Sequence, residues 1–362
     1  MKIIDRYILK KFLNTFFFCI LLLTLIVVVI DISEKTDDFV RSGLSPWRIF
    51  IDYYGSFIPR IDAMLFPLFT FIAVIFFTSR MADRTEVVAI LSSGVSLRRF
   101  LLPYWIGGGL LALLLWWGYH SVLPKANMKW SNFESKYIPT SLDYASDFSG
   151  RNYYFRIDSH SYAGLRYYDT VSRTGSGFFI QKIIDNRLVY NLRSDNIAWD
   201  TVSKKWKLNA VTERTFEGDV EKVKHTASMP VQYNFKPRDL RKDDFLKDRM
   251  TTTELANYID LQKLRGTEGI NDLLVELYNR DAIPVSVIIL TLIGAILSSK
   301  KVRGGSGFHL AVGVILSVIY VLFSRLSVVF ATKGNFTPLL AAWVPNIIFS
   351  VLAYYFYKRA SR

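Results

Sequence analysis

Few residues of this chain have the type and spacing that reaction chemistry needs. The four histidines, His120, His160, His225 and His309, are scattered without H-E-x-x-H spacing, and no G-x-S-x-G elbow presents a serine. The one cysteine, Cys19, lies in an apolar block, so neither a disulfide framework nor a cysteine metal site can be built. No G-x-x-x-x-G-K-S/T loop is present to cradle a nucleotide. Gly304-Gly305-Ser306-Gly307 lacks the lysine and reads as a turn between helices. An enzyme is disfavoured, and no catalytic residue, cofactor or metal is assigned. The distinctive charges stand instead at the ends of apolar blocks. Arg60 lies just inside one such block, where an ionisable group is costly and therefore suspect as functional. A phosphate-bearing anionic lipid headgroup would suit it. Pairing with Asp62, or snorkelling to the surface, is the competing reading. Lys35, Arg41 and Arg325 are further candidates for the same headgroup, and an acidic residue of a partner chain would serve Arg325 equally well.

The elements that must carry these charges are membrane helices. Of 362 residues, 51% are hydrophobic, and they collect into blocks rather than spreading over helix faces and strands. A hydrocarbon core of about 30 Å needs about 20 apolar helical residues. Six blocks qualify: Phe12 to Ile30, Ile58 to Thr78, Phe100 to Val122, Ala282 to Leu297, Phe308 to Phe330 and Leu339 to Tyr357. The first follows Lys2, Arg6, Lys10 and Lys11 as a signal peptide would, but it is too long and lacks a small-residue cleavage site, so it reads as a retained anchor. Residues 1–11, 80–99, 300–306 and 358–362 together carry fourteen basic against three acidic residues, most of the net charge of +14. The loop 31–52 is net acidic. The positive-inside rule then puts both termini in the cytoplasm and makes the basic excess a topology signal, not a nucleic-acid footprint. The spans carry no rows of buried acids or histidines for ion coupling, so energy for transport would have to come from a partner.

Between the third and fourth blocks lie roughly 155 residues of soluble composition, enough for a domain. Its first part reads as β: Tyr153 to Ile157, Gly177 to Ile183, Arg187 to Tyr190, Asn196 to Asp200 and Lys205 to Leu208, with a turn at Val202-Ser203-Lys204. A sandwich, a jelly roll or an open barrel would fit this spacing, and a plain scaffold is the bland alternative. From Thr253 the period becomes helical through Leu255, Tyr258, Ile259, Leu261 and Leu264, with Gly266 as a stop, and a second helix from Gly269 runs towards Pro284. The predicted division is 1–123 for spans one to three, 124–250 for the β domain, 251–280 for a helical connector and 281–362 for spans four to six.

The loop from Ser79 to Ser96 is the most distinctive stretch. Asp83 to Leu91 is helix-competent and amphipathic, with Gly94 placed as a stop. Such a helix is either a docking element for a cytosolic protein or one lying on lipid headgroups. The E-x-x-x-x-x-x-S-G-V-S pattern here, Ile4-Asp5-Arg6-Tyr7, Pro59-Arg60-x-Asp62 with Pro67, Glu254-Leu255-x-x-Tyr258-Ile259, and Pro338 with Pro345 together resemble the lipopolysaccharide-export permeases of the LptF/LptG type. The resemblance covers nearly the whole chain.

That resemblance implies a bacterial inner-membrane half-transporter: six transmembrane helices with an inserted periplasmic all-β, jellyroll-like domain. It implies as partners a second LptF/LptG-type permease, two copies of a cytosolic ABC ATPase, a periplasmic bridge protein and a single-span regulatory subunit, with lipopolysaccharide as cargo. The loop at about 80–99 would be the coupling helix, its Glu86 meeting the ATPase, with Arg84, Val87, Ile90 and Leu91 flanking. Arg60 would face the lipid cavity. Some family members carry a basic residue where this chain has Asp31, which shifts a first-span contact to Lys35. Phe16, Ile20 and Leu23 of span one and Ile319 and Leu322 of span five would line a lateral gate; lipid-facing surface is the bland alternative. The other functions weighed are a permease for a different anionic glycolipid and a non-transporting membrane-anchored adaptor.

Overall fold

A computed structural model describes residues 3–138, 153–158, 160–169, 172–217, 220–233, 235–237, 246–265, 269–300 and 305–360. Lys2, Lys301, Arg303, Arg362, the stop at Gly266 and Gly304 of the glycine turn lie outside these residues. The chain divides into two compact units, Met1–Phe133 with Lys247–Leu255 and Asn271–Arg362, and Glu134–Leu246 with Ala256–Ile270.

The first unit is helical, and among the described residues six helical stretches are long and apolar enough to cross a membrane. Helix α1 (Ile3–Arg41) runs unbroken because its 39 residues include neither glycine nor proline. Asp5 in its first turn and Arg41 in its last complement the helix dipole. It ends at Gly43, whose φ of +64° suits a helix C-terminus. The second stretch starts with α2 (Pro46–Ile49), passes through a π-helical turn (Phe50–Tyr54) and continues as α3 (Gly55–Asp83). Two short helices, α4 (Glu86–Ser92) and α5 (Leu97–Phe100), lead to α6 (Leu102–Trp117), a second π turn (Gly118–Val122) and α7 (Leu123–Tyr137). After α8 (Leu246–Arg249) and α9 (Thr252–Arg265) come α10 (Ile270–Ser298), α11 (Gly305–Lys333) and α12 (Pro338–Ala360). Every span outruns its apolar block, because amphipathic turns continue the helix beyond the hydrocarbon-length core.

Among the described residues two large clusters hold the bundle, with a smaller one around Val275, Ala331 and Ala341. Phe12 and Phe16 of α1, Phe66 and Phe77 of α3, and Tyr104 and Leu111 of α6 belong to the larger one. Phe71 and Ile75 of α3, Leu290 and Ile293 of α10, Tyr320 of α11 and Phe349 of α12 belong to the other. Close approach needs small residues: a Cβ on Gly107 would come 2.5 Å from Phe12 Cδ1. Polar side chains are satisfied inside, as where Tyr320 Oη donates to Asn346 Oδ1 (3.0 Å) and Asn346 Nδ2 to the Ala282 carbonyl (2.7 Å).

The second unit carries one antiparallel sheet of β1 (Tyr153–Arg156), β2 (Ser161–Leu165), β3 (Tyr167–Asp169), β4 (Thr174–Ile184), β5 (Arg187–Asp200), β6 (Lys205–Glu217) and β7 (Val220–Val231). The order is β1-β2-β4-β5-β6-β7, with β3 also on β4. Asp185 and Asn186, both at positive φ, form a two-residue hairpin between Ile184 and Arg187, the backbone that a tight strand reversal demands. Asp200 makes the next turn by accepting from the Val202 N–H (2.9 Å) and the Ser203 hydroxyl (2.7 Å). The core gathers Leu165, Tyr168, Phe178, Ile197, Leu208 and Trp206, and the Trp206 indole donates to the Phe235 carbonyl (2.8 Å). The chain is therefore a helical membrane protein with an inserted β domain.

Candidate functional site

The two predicted sites occupy opposite ends of α1. At the first, the loop after α3 turns back through Thr85, which takes a left-handed φ of 60° ahead of α4. Glu86 does not project alone: its Oε2 accepts from the Tyr7 hydroxyl (3.1 Å), which Lys11 also contacts. At the far side of the same loop, Ser96 caps α5 by accepting from the Arg99 N–H (3.3 Å). The Arg99 guanidinium bridges to Asp5 Oδ2 at 2.6 Å, and the Asp5 side chain is only 6% exposed. A charge-assisted bond this short and this shielded is among the stronger contacts a side chain makes.

The rest of the predicted docking face divides by burial. Val87, expected on that face, is fully buried, and Ile90 and Leu91 pack half-buried on the bundle core. These three anchor α4 because a helix of seven residues has no other means of staying folded. Arg84, Val88, Ala89 and Ser92 point outward.

At the other end of α1, Asp31 is buried and accepts from two consecutive tyrosines, Tyr53 Oη (3.1 Å) and Tyr54 Oη (2.9 Å). The wider π winding over Phe50–Tyr54 is what brings neighbouring side chains to one carboxylate. Lys35, one turn on, donates to Tyr53 Oη (2.7 Å) and lies 6.0 Å from the Trp130 ring. Arg60 stacks on the same ring, its guanidinium carbon 3.6 Å from the centroid. Asp62 accepts from Thr24 Oγ1 at 2.5 Å. Lys35 and Arg60 are thus brought together on Trp130, both half-buried. Arg41 is exposed at the end of α1, and Arg325 is exposed with Met64 Sδ at 4.0 Å; neither shares the tryptophan.

A second polar group gathers around Arg280. Arg280 is 2% exposed and donates to Thr252 Oγ1 and to the carbonyls of Lys247 and Met250, with Glu276 Oε1 at 3.6 Å. Asn127 Nδ2 bonds the Asp248 carbonyl at 2.8 Å. Burial holds the Asp248 carboxyl above the usual range, opposed by the charges of Lys247, Arg60 and Arg280.

The gate residues differ in burial. Phe16 is fully buried against Phe66 at 4.9 Å between ring centroids, so it belongs to the core rather than to a gate. Ile20 and Leu23 are half-buried, while Ile319 and Leu322 are exposed. The sequence reading missed Trp130, Tyr53, Tyr54, Asp5 and Arg99. Asp5 and Tyr7 were visible only as part of a motif, and the tandem tyrosines beside an apolar block were the one local signal at the other end. Among the described residues no cluster of His, Cys, Asp and Glu could hold a metal ion.

Residues 6–359 match the family model described as lipopolysaccharide export system permease LptF/LptG. The chain is also 20% identical over 367 residues to the lipopolysaccharide export system permease protein LptG of Haemophilus influenzae, covering 98% of each. Six apolar helical stretches, an inserted antiparallel sheet and a match along nearly the whole length agree: the chain belongs to the LptF/LptG family of lipopolysaccharide export system permeases.

Proposed function

We propose that this chain is one of two permeases that, driven by a cytosolic ABC ATPase, lift lipopolysaccharide from the inner membrane towards a periplasmic bridge. The observation that carries this reading is a family match over residues 6–359 joined to a cationic pair, Lys35 and Arg60, held on one tryptophan. In this reading the termini and the 80–99 loop are cytoplasmic and the β domain periplasmic. Residues 1–123 and 281–362 carry the spans, 124–250 the β domain and 251–280 the connector. Glu86 with exposed Arg84 and Val88 meets the ATPase, and Lys35 and Arg60 receive headgroup phosphates, with Arg41 and Arg325 at the periphery. Ile20, Leu23, Ile319 and Leu322 contribute to the lateral opening. Transport requires only that the open cavity bind lipid better than the closed one.

The test is co-purification with the host's second permease and ABC ATPase, followed by ATPase assay with and without lipopolysaccharide. The wild type forms a complex whose hydrolysis responds to the lipid, Glu86→Ala loses that response, and Lys35→Gln with Arg60→Gln raises the lipid concentration needed for it. Association of no ATPase with the intact wild type would overturn this reading in favour of a membrane-anchored adaptor.

A further inference from the structure

The loop between α3 and α6 is tied at both of its ends to the first turns of α1, by Tyr7 to Glu86 at 3.1 Å and by Asp5 to Arg99 at 2.6 Å. The second tie is the firmer. Asp5 is 4% exposed, Arg99 is fixed by the Ser96 cap, and Phe100 beside it is buried in the main core. A carboxylate so shielded strongly favours keeping its cation, so the loop cannot shift without either breaking a charge pair or taking α1 with it.

Helix α1 is suited to being taken. Its 39 residues contain no hinge, and it spans about 58 Å at 1.5 Å per residue. Of its apolar window 11% is buried, against 72% in α10, and near the latch its packing runs along the single stripe of Ile8, Phe12 and Phe16. Its far end carries Asp31 and Lys35, the latter seated with Arg60 on Trp130.

We infer that Asp5 and Arg99 form a latch that makes α1 move as a rod with the 80–99 loop, delivering a displacement of that loop to the Lys35 end. They are positioning residues: neither touches lipid, and they act through Lys35. The inference rests on the transport reading above and adds to it the path by which ATPase motion reaches the headgroup site.

The experiment uses the complete complex in proteoliposomes, measuring lipopolysaccharide released per ATP hydrolysed. Asp5→Asn and Arg99→Gln each lower that ratio by at least about fivefold, the lower end of ordinary coupling between sites. The exchange Asp5→Arg with Arg99→Asp restores most of it. Spin labels at Ile32→Cys and Leu339→Cys, in a Cys19→Ser background, provide a readout that does not depend on release. The wild-type distance changes between nucleotide-free and ATP-trapped complexes, and Asp5→Asn abolishes the change. If either single variant fails to assemble, the exchange variant and the labels decide. An unchanged release ratio, or a nucleotide-dependent distance change that survives Asp5→Asn, overturns the latch while leaving the transport reading intact. A wild type that releases no lipid with ATP overturns both.

Discussion

At the scale of single residues, the motif around Glu254 shows what one carboxylate contributes. Thr251 Oγ1 accepts from the Glu254 N–H (3.3 Å), while Glu254 Oε2 accepts from the Thr251 N–H and hydroxyl (both 2.9 Å). This reciprocal capping box starts α9. Thr251→Ala should cost about 1 kcal/mol, read as a lowered midpoint in thermal unfolding of the purified chain. The Thr251 N–H, and then its hydroxyl, hold the Glu254 carboxyl below the usual range. Its contribution is therefore complete above the ordinary glutamate value of about 4.3 and is lost as pH falls through the depressed one. Glu254→Gln should therefore lower the unfolding midpoint at neutral pH and flatten the acid-side fall, so that the two proteins converge once pH drops below the depressed value. The positions of Arg60 and Lys35 were legible as charges bordering apolar blocks. Trp130, which brings them together, was not, because it stands 70 residues from Arg60 in sequence and nothing local marks an aromatic residue as a platform.

At the scale of elements, packing rather than hydropathy decides the outcome. Gly107→Val would drive a side chain into the Phe12 ring, and such overpacking typically costs about 1–3 kcal/mol. The expected result is a lower unfolding midpoint in detergent, partly recovered by adding Phe12→Ala, which opens the space. In the sheet, Trp206→Ala removes a fully buried indole together with its bond to Phe235 and should cost about 3–5 kcal/mol, visible as loss of the β unit's protease resistance in the intact chain. The six spans were readable because a membrane demands long apolar blocks. Strand boundaries were less so. The runs Arg187 to Tyr190 and Asn196 to Asp200 form one strand, since buried Asn191 and Ser194 interrupt the apolar pattern without interrupting the ladder, with Ser194 Oγ donating to the Asn196 and Asn209 carbonyls. The strand β7 gave no signal at all: most of its residues are exposed and several are charged, so no alternation betrays it. In α4 the amphipathic pattern was read correctly but the apolar side was assigned outward, whereas Val87, Ile90 and Leu91 fasten the helix to the bundle.

At the scale of the whole molecule, the uneven burial of the spans is the telling quantity. The apolar windows of α1 and α11 are 11% and 22% buried, against 61% for the α2–α3 stretch and 72% for α10. With α12 at 28%, three of the six described spans therefore present most of their apolar surface outside the chain. On the transport reading proposed above, replacing exposed Ile319 and Leu322 together by alanine should leave the chain's own unfolding midpoint nearly unchanged, while the fraction of second permease recovered with it falls several-fold, as measured by quantitative gel densitometry. The same unit also dictates how the β insertion is attached. The chain leaves the helical unit after Phe133, returns at Lys247 and leaves once more over Ala256–Ile270, and the Asn127 side chain before the first gap bonds the Asp248 backbone after it. Entry and return share one doorstep. A segment whose two ends are bonded neighbours is a cassette: residues 134–246, exchanged together with 256–270 for the corresponding segments of another family member, would keep their points of attachment.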